Sequence, residues 1–181
     1  LIDGYKADHR RQYPDGLQRV LSNSTARSSR VLGQTSVTYF GLQWFLRAYL
    51  MDLFNDTFFS YPVDVVGQAY ADLMNEYLGP DQRVGKEHIM ALHELGYIPI
   101  EFRSLPEGTF TPLGVPMYLM ENTNDDFGWI VNYLETLVQD CMWLPTTSAT
   151  TASRFRHILE KWVAKTGSDA GFIGFQGHDF S

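Results

Sequence analysis

The chain has one cysteine, Cys141, among its 181 residues. A single cysteine allows no internal disulfide and no paired-cysteine metal site, so a cytoplasmic protein is the simplest interpretation. The glycosylation sequons at Asn23 and Asn55 are therefore interpreted as coincidental. The sequence also lacks an apolar run of about 18 residues, which excludes a transmembrane helix, and residues 1–11 lack the apolar core of a signal peptide.

Signatures of several common enzyme classes are missing as well. The sequence contains no GxxxxGK[ST] phosphate loop and no HExxH zinc motif, and glycines 171, 174 and 177 do not have the spacing of a dinucleotide fingerprint. His88 and His93 lie within an apolar helical pattern at a poor spacing for a metal, so we predict ordinary helix histidines. Cys141 is predicted to be a small buried side chain. No metal site and no catalytic residue follow from these features.

Charge is distributed unevenly along the chain. The formal net charge is −7, yet residues 1–30 carry six basic and three acidic side chains, which leaves −10 for the remainder. An acidic protein with one basic segment does not suit nucleic-acid binding, which needs a broad positive surface. It suits a small anionic ligand held at one place, although a solvated, locally basic tail would have the same composition.

Apolar residues at helical spacing predict five helices. The first covers residues 39–54, and the second follows Pro62 and stops at Gly79. The third covers residues 86–95 and ends at Gly96. The last two lie at about residues 125–140 and 151–166, and Gly167 is predicted to cap the latter. The apolar face of the last helix consists of Phe155, Ile158, Leu159, Trp162 and Val163.

Extended structure is predicted between these helices. Residues 19–38 mix β-forming residues with Ser and Thr around a loop at 28–34, and residues 98–102 alternate as a half-buried strand. Residues 109–121 continue as extended chain, and residues 172–175 indicate a buried strand. Because one parallel strand is not stable alone, we expect further sequence, in this polypeptide or a partner chain, to complete a second domain.

The opening residues read DGYKADHRRQYP from Asp3 to Pro14. This run resembles the start of the nicotinamide phosphoribosyltransferase family in its bacterial or phage-type form, whose pattern is Asp-x-Tyr-Lys-x-x-His-x-x-Gln-Tyr-Pro. Every defined position is met, by Asp3, Tyr5, Lys6, His9, Gln12, Tyr13 and Pro14. Shorter matches follow in the family's order: FGLQ at 40–43, PEG at 106–108, ENT at 121–123, ET at 135–136, AT at 149–150 and HDF at 178–180. Ser181 departs from the glycine usual in the family.

The resemblance implies an α+β fold with two parts. Residues 1–145 are expected to form an N-terminal domain with a mixed, largely antiparallel sheet and helices. Residues 146–181 are expected to be the first helix and strand of an α/β barrel, the phosphoribosyltransferase domain, which is truncated here. Barrels of this kind place phosphate sites on loops after late strands, so this chain alone is expected to be inactive.

The resemblance also implies an activity, that of a pentosyltransferase in NAD salvage. Nicotinamide and phosphoribosyl pyrophosphate, with Mg²⁺, would give nicotinamide mononucleotide and pyrophosphate. Tyr5 and Phe180 resemble the two rings that enclose nicotinamide, and Arg27 resembles a phosphate-binding arginine. Asp3 and His178 resemble residues lining the same pocket. In the family these residues meet across a homodimer, so we expect a shared active site, or a partner chain that supplies the rest of the barrel.

Two other functions remain open at this level. A nicotinate phosphoribosyltransferase would share the fold and the reaction, and the charge beside the substrate's carboxamide would distinguish the two. A non-catalytic fragment could retain only the fold. Neither a nucleic acid nor a membrane is an expected partner.

Overall fold

The structure is a computed structural model that describes residues 2–79, 84–171 and 173–175. Helices and short antiparallel strands alternate in this part of the chain, so the expected α+β class is confirmed. The helices are α1 (Lys6–His9), α2 (Leu42–Phe45, continued by wider π turns over Leu46–Phe58), α3 (Val63–Leu78), α4 (Glu87–Leu95) and α5 (Trp129–Thr166). The strands are β1 (Leu21–Thr25), β2 (Ser36–Thr38), β3 (Ile100–Ser104), β4 (Phe110–Pro112) and β5 (Pro116–Asn122).

The larger sheet has three antiparallel strands in the order β1-β5-β3. Strand β5 lies in the centre, where Asn23 of β1 is opposite Leu119 and Phe102 of β3 is opposite Met120. Alternate β5 side chains, including Tyr118, Met120 and Asn122, are buried. Strands β2 and β4 form a separate antiparallel pair. The predicted antiparallel character of the sheet is therefore confirmed.

The predicted helix ends at prolines and glycines are confirmed. Helix α3 begins directly after Pro62 and ends at Gly79, and helix α4 ends at Gly96, which has a positive φ of 80°. The helix predicted over residues 39–54 begins at Leu42 and continues to Phe58. In its π turns each N–H bonds to the carbonyl five residues earlier, as Phe59 N does to Phe54 O at 2.9 Å.

Helix α5 corrects one prediction. The structure has one helix over Trp129–Thr166 where the sequence predicted two, and Pro145 lies inside it. Proline removes a helical hydrogen bond, but a tertiary contact compensates here. Pro145 packs against Gly41, where an added Cβ would lie 2.8 Å from the proline Cβ, and the adjacent Thr146 hydroxyl donates to Phe40 O at 3.1 Å. The helix crosses the domain boundary predicted after residue 145, and that division stays a prediction.

The strand predicted over residues 172–175 is wrong for its described part. Ile173–Phe175 form a 3-10 turn in which Ile173 N donates to Ala170 O at 3.2 Å. A strand needs a neighbouring strand for its backbone groups, and the strands among residues 2–79 and 84–171 pair with one another. Ile173 is buried nonetheless, so the turn packs as a compact unit.

The main hydrophobic core lies between strand β5, the first half of α5 and the segment around Tyr39 and Phe45. The second half of α5 contributes little to it: the predicted apolar face is present, but Phe155 and Trp162 are more than half exposed. None of the helices in the described ranges is long and apolar enough to cross a membrane.

Candidate functional site

The N-terminal motif is fixed to helix α5 by polar contacts. Lys6, the first residue of α1, is 7% exposed, and its Nζ lies 3.0 Å from Glu135 Oε2. The other oxygen of Glu135 accepts a hydrogen bond of 2.6 Å from the Ser22 hydroxyl of β1. The Lys6–Glu135 ion pair therefore joins α1, α5 and the edge of the sheet.

Asp3 is the second contact point. Its Oδ2 accepts a hydrogen bond of 2.6 Å from the Thr136 hydroxyl on α5 and a longer one of 3.5 Å from the Tyr5 hydroxyl. The same oxygen lies 3.8 Å from Lys6 Nζ. One carboxylate oxygen thus connects Tyr5 to both the buried ammonium group and helix α5.

Asn132 and Tyr133 hold the rest of the motif. The Asn132 amide lies 2.9 Å from His9 Nδ1 and donates to the Tyr13 hydroxyl at 3.0 Å. The Tyr133 hydroxyl donates to Ala7 O at 2.8 Å, and burial raises its pKa far above the ordinary tyrosine value. These bonds are made inside the protein, so they fix the backbone of α1 against α5.

Tyr5 is the exception within this motif because its side chain is 60% exposed. Its ring lies 5.3 Å from the His9 ring at an interplanar angle of 57°, which leaves much of the aromatic surface free. A flat exposed ring on a rigidly anchored turn can stack on a planar ligand. The predicted site residues Asp3 and Tyr5 are therefore brought together by the structure.

A cavity of about 310 Å³ lies beside these residues. Its lining is mainly polar and contains the carboxylates of Asp3, Glu135 and Asp140 and the ammonium of Lys6. A larger hollow of about 440 Å³ lies between residues 10–17 and 125–129 and contains none of the predicted site residues. Both cavities adjoin the motif: Arg10, Tyr13 and Pro14 line the larger one, whereas Asp3 and Lys6 line the smaller one, and Tyr5 lines neither.

The remaining predicted site residues lie elsewhere. Arg27 is exposed in the segment between β1 and β2, and it does not line the cavity beside Asp3. His178 and Phe180 lie outside the described residues. The pairing of Tyr5 with Phe180 and the phosphate role of Arg27 stay predictions.

Sequence reasoning assigned no role to the α5 side chains that hold this site. Asn132, Glu135, Thr136 and Gln139 form a polar stripe at helical spacing, and Gln139 Oε1 is 3.3 Å from the Ser24 hydroxyl. That spacing was visible in the sequence, since residues 129–139 of this helix are otherwise apolar. The stripe shows which face of the helix meets the motif, but it does not reveal which partners it binds.

Three other motif matches have structural roles. Glu107 Oε1 accepts hydrogen bonds from Gly41 N at 3.1 Å and Gln43 N at 3.0 Å, so it caps the start of α2 from a distant turn. The φ of 109° at Gly41 favours glycine there. The fully buried Asn122 bonds to Val20 N, Gln18 O and Asn124 O. The FGLQ, PEG and ENT matches thus maintain the fold.

The two α4 histidines occupy structural positions as predicted, whereas Cys141 is only half-buried and not the buried side chain that the sequence predicted. His88 is buried between the rings of Tyr70 and Trp129, and burial lowers its pKa to about 4, so it is neutral at pH 7. His93 Nε2 lies 2.8 Å from Tyr61 O. Burial also raises the pKa of the Cys141 thiol, which opposes a nucleophilic role.

Comparison with known proteins gives the same family as the N-terminal motif. Residues 1–68 match the model of the nicotinamide phosphoribosyltransferase N-terminal domain. The chain is 40% identical, over 99% of its length, to a nicotinamide phosphoribosyltransferase of Acinetobacter baylyi, of which it covers 36%. It is 28% identical, over 99% of its length, to a protein of the same name from Mycoplasma genitalium, of which it covers 42%. The resemblance of this chain to the N-terminal part of these enzymes is confirmed.

A solved structure is also similar. The crystal structure of human nicotinic acid phosphoribosyltransferase matches with a TM-score of 0.59 and 23% sequence identity, over 87% of this chain and 28% of that chain. At this identity the likeness concerns the fold alone. The chain spans about two fifths or less of the length of each of these relatives.

Proposed function

We propose that this chain forms the N-terminal part of an enzyme that transfers the phosphoribosyl group of phosphoribosyl pyrophosphate to nicotinamide. The observation that carries the proposal is the 40% identity, over 99% of the chain, to the Acinetobacter baylyi enzyme of that name. The anchored motif with its exposed Tyr5 ring adds a physical reason, because it presents a stacking surface at a fixed position.

The chemistry needs positioning more than activation. Departure of pyrophosphate from the anomeric carbon leaves an oxocarbenium-like ribose, and the pyridine nitrogen is already a nucleophile. Catalysis then depends on holding the ring nitrogen in line with the anomeric carbon. We assign this task to Tyr5 from one subunit and Phe180 from its homodimer partner, with Asp3 and His178 lining the pocket. In this scheme Asp3 holds the turn that carries Tyr5, since its backbone oxygen accepts from Lys6 N at 2.9 Å.

The phosphates require cationic partners. Arg27 is exposed and lies in the basic first part of the chain, where a guanidinium group can bind phosphate oxygens in a bidentate manner. Mg²⁺ would supply further charge neutralisation to the pyrophosphate. Within the described ranges no group of three or more His, Cys, Asp and Glu side chains is arranged to hold a metal ion. A cytoplasmic location suits an enzyme of NAD salvage.

The proposed function is tested with the complete enzyme, meaning this chain together with the sequence that completes the transferase. The purified enzyme is incubated with phosphoribosyl pyrophosphate, Mg²⁺ and either nicotinamide or nicotinate, and the mononucleotide is quantified by chromatography. Formation of nicotinamide mononucleotide at the higher kcat/KM supports the proposal. A preference for nicotinate would support the alternative suggested by the fold of the human relative. No product from either base would indicate a non-catalytic protein.

A further inference from the structure

We propose that Lys6 is a positioning residue for the pyridine substrate, acting through Asp3 to fix the Tyr5 ring. The inference rests on the proposed function and deepens it, because it assigns to this chain the device that sets the stacking surface. Three observations support it: the burial of Lys6, its two carboxylate neighbours and the exposure of Tyr5.

Lys6 is buried, so its positive charge must be paired with a group inside the protein. At 7% exposure the ammonium group has little contact with solvent, and a buried charge is tolerated only when it is paired. Glu135 at 3.0 Å is that partner, and the Ser22 hydroxyl bond of 2.6 Å fixes Glu135 in turn. The ammonium group therefore has a defined position relative to α5 and β1.

Lys6 holds Asp3 through two different atoms. Its backbone N–H donates to Asp3 O at 2.9 Å, and its Nζ lies 3.8 Å from Asp3 Oδ2. Thr136 binds the same Oδ2 at 2.6 Å from α5. Asp3 is consequently held by its backbone and by its carboxylate. Its fixed position restrains the backbone that leads to Tyr5, two residues further along the chain.

Tyr5 depends on this support because its own contacts are few. Its hydroxyl reaches Asp3 Oδ2 at 3.5 Å, and its ring has an aromatic neighbour in His9 at 5.3 Å. With so few contacts of its own, the ring takes its place in space mainly from the turn that carries it. Since Lys6 directly follows Tyr5, the Lys6–Glu135 ion pair fixes that turn.

The test compares steady-state kinetics of the complete enzyme, four single variants and one double variant. In Lys6→Met the side chain keeps its approximate length and loses the charge. We expect the KM for nicotinamide to rise at least about tenfold, since small misplacements of positioning groups have effects of this order or larger. The KM for phosphoribosyl pyrophosphate should change less than about twofold. Thr136→Val, which removes the other support of Asp3, should raise the same KM and thus provides a second test if Lys6→Met folds poorly.

Lys161→Met is the matched control, because Lys161 is exposed on the second half of α5, far along the sequence from the motif. It should leave both KM values within about twofold of the unsubstituted enzyme. The fourth variant is Asp3→Asn, which retains the shape of Asp3 and weakens its attraction for the ammonium group. If Lys6 acts through Asp3, adding Lys6→Met to Asp3→Asn should raise the nicotinamide KM much less than adding it to the unsubstituted enzyme.

The outcomes separate the two proposals. If the unsubstituted enzyme forms no nicotinamide mononucleotide, the proposed function is overturned and the role of Lys6 falls with it. If it forms product and folded Lys6→Met and Thr136→Val retain its nicotinamide KM, the positioning role alone is overturned. Equal increases in both KM values would assign Lys6 to general folding, as would full additivity with Asp3→Asn. A selective, non-additive increase supports the inference.

Discussion

Asn122→Ala removes a fully buried side chain that joins three segments of the N-terminal domain. The side-chain oxygen accepts from Val20 N at 2.8 Å, and its amide donates to Gln18 O at 2.7 Å and to Asn124 O at 2.8 Å. Alanine can make none of these bonds, and the Asn122 side chain itself has 0% exposure. Three backbone groups therefore lose their partner at once.

The magnitude follows from these three groups. A buried polar group left without a partner costs about 1–3 kcal/mol, and losses within one network do not add fully. We expect the free energy of unfolding to fall by about 3–5 kcal/mol, at the upper end for a single substitution. The exposed Asn55→Ala is the matched control, and it should change stability by less than about 0.5 kcal/mol.

Urea unfolding followed by tryptophan fluorescence measures both variants under the same conditions. The midpoint of Asn122→Ala should shift to lower urea with an unchanged slope, which indicates a change in stability rather than in compactness. A loss below about 1 kcal/mol, no larger than one ordinary hydrogen bond, would refute the argument that the network is dry and fully used.

The remaining predictions concern the ligand site and pH. In the complete enzyme Tyr5→Ala should raise the KM for nicotinamide strongly and Tyr5→Phe only mildly, because the ring provides the stacking surface. Mixing inactive Tyr5→Ala and Phe180→Ala protomers should restore part of the activity, since each heterodimer would contain one intact pair of rings. Arg27→Ala should weaken binding of phosphoribosyl pyrophosphate far more than binding of nicotinamide, as measured by calorimetry. Burial holds the pKa of His88 at about 4, below the ordinary histidine value of 6.5. The stability contributed by neutral His88 is therefore fully present above pH 6.5 and is lost as pH falls towards 4. Unfolding of His88→Gln should depend less on pH in this interval, while the exposed His157→Gln should behave like the parent protein.

A specific result would contradict each of these predictions. Equal effects of Tyr5→Phe and Tyr5→Ala would assign the role to the hydroxyl that contacts Asp3. No recovery on verified subunit mixing would mean that the two rings do not meet across an interface. Equal loss of both ligands in Arg27→Ala would indicate a folding role. An unchanged pH profile in His88→Gln would show that His88 is not the titrating group.

Local signals explain why much of the fold could be predicted. Pro62 and Gly79 bound helix α3 because proline fixes the first turn and glycine ends the last one without help from distant residues. Gly96 ends α4 for the same reason. The alternating residues of β3 also carry their burial pattern in the sequence itself.

Tertiary contacts explain the two errors. Proline usually breaks a helix, so the residues around Pro145 predict a helix end. Helix α5 stays continuous because Gly41 packs closely against Pro145 and the Thr146 hydroxyl donates to Phe40 O. Residues 172–175 have the composition of a strand, yet the described part of this segment has no strand beside it and turns instead. Neither fact can be obtained from a short window of sequence.

The candidate site was only partly predictable for a related reason. Asp3 and Tyr5 were identified by the family pattern, whereas the partner of Lys6 lies 129 residues away in the sequence. The polar stripe of α5 indicates that this helix meets something polar, but pairing Glu135 with Lys6 needs the folded chain. The sequence therefore predicted the residues proposed to meet the ligand more readily than the residues that hold them in place.

The contrast between Tyr5 and its neighbours supports a binding role over a folding one. Lys6 and Ala7 are buried, His9 and Tyr13 bond to Asn132, and all four use their atoms to attach the motif to α5. A large aromatic ring that is 60% exposed adds little to this attachment. The exposed face of this ring would be buried if another surface covered it, whether that of a ligand, of a second subunit or of both. A shared nicotinamide site would supply both, and this is why the exposed ring, and not the buried ones, is expected to control the KM for nicotinamide.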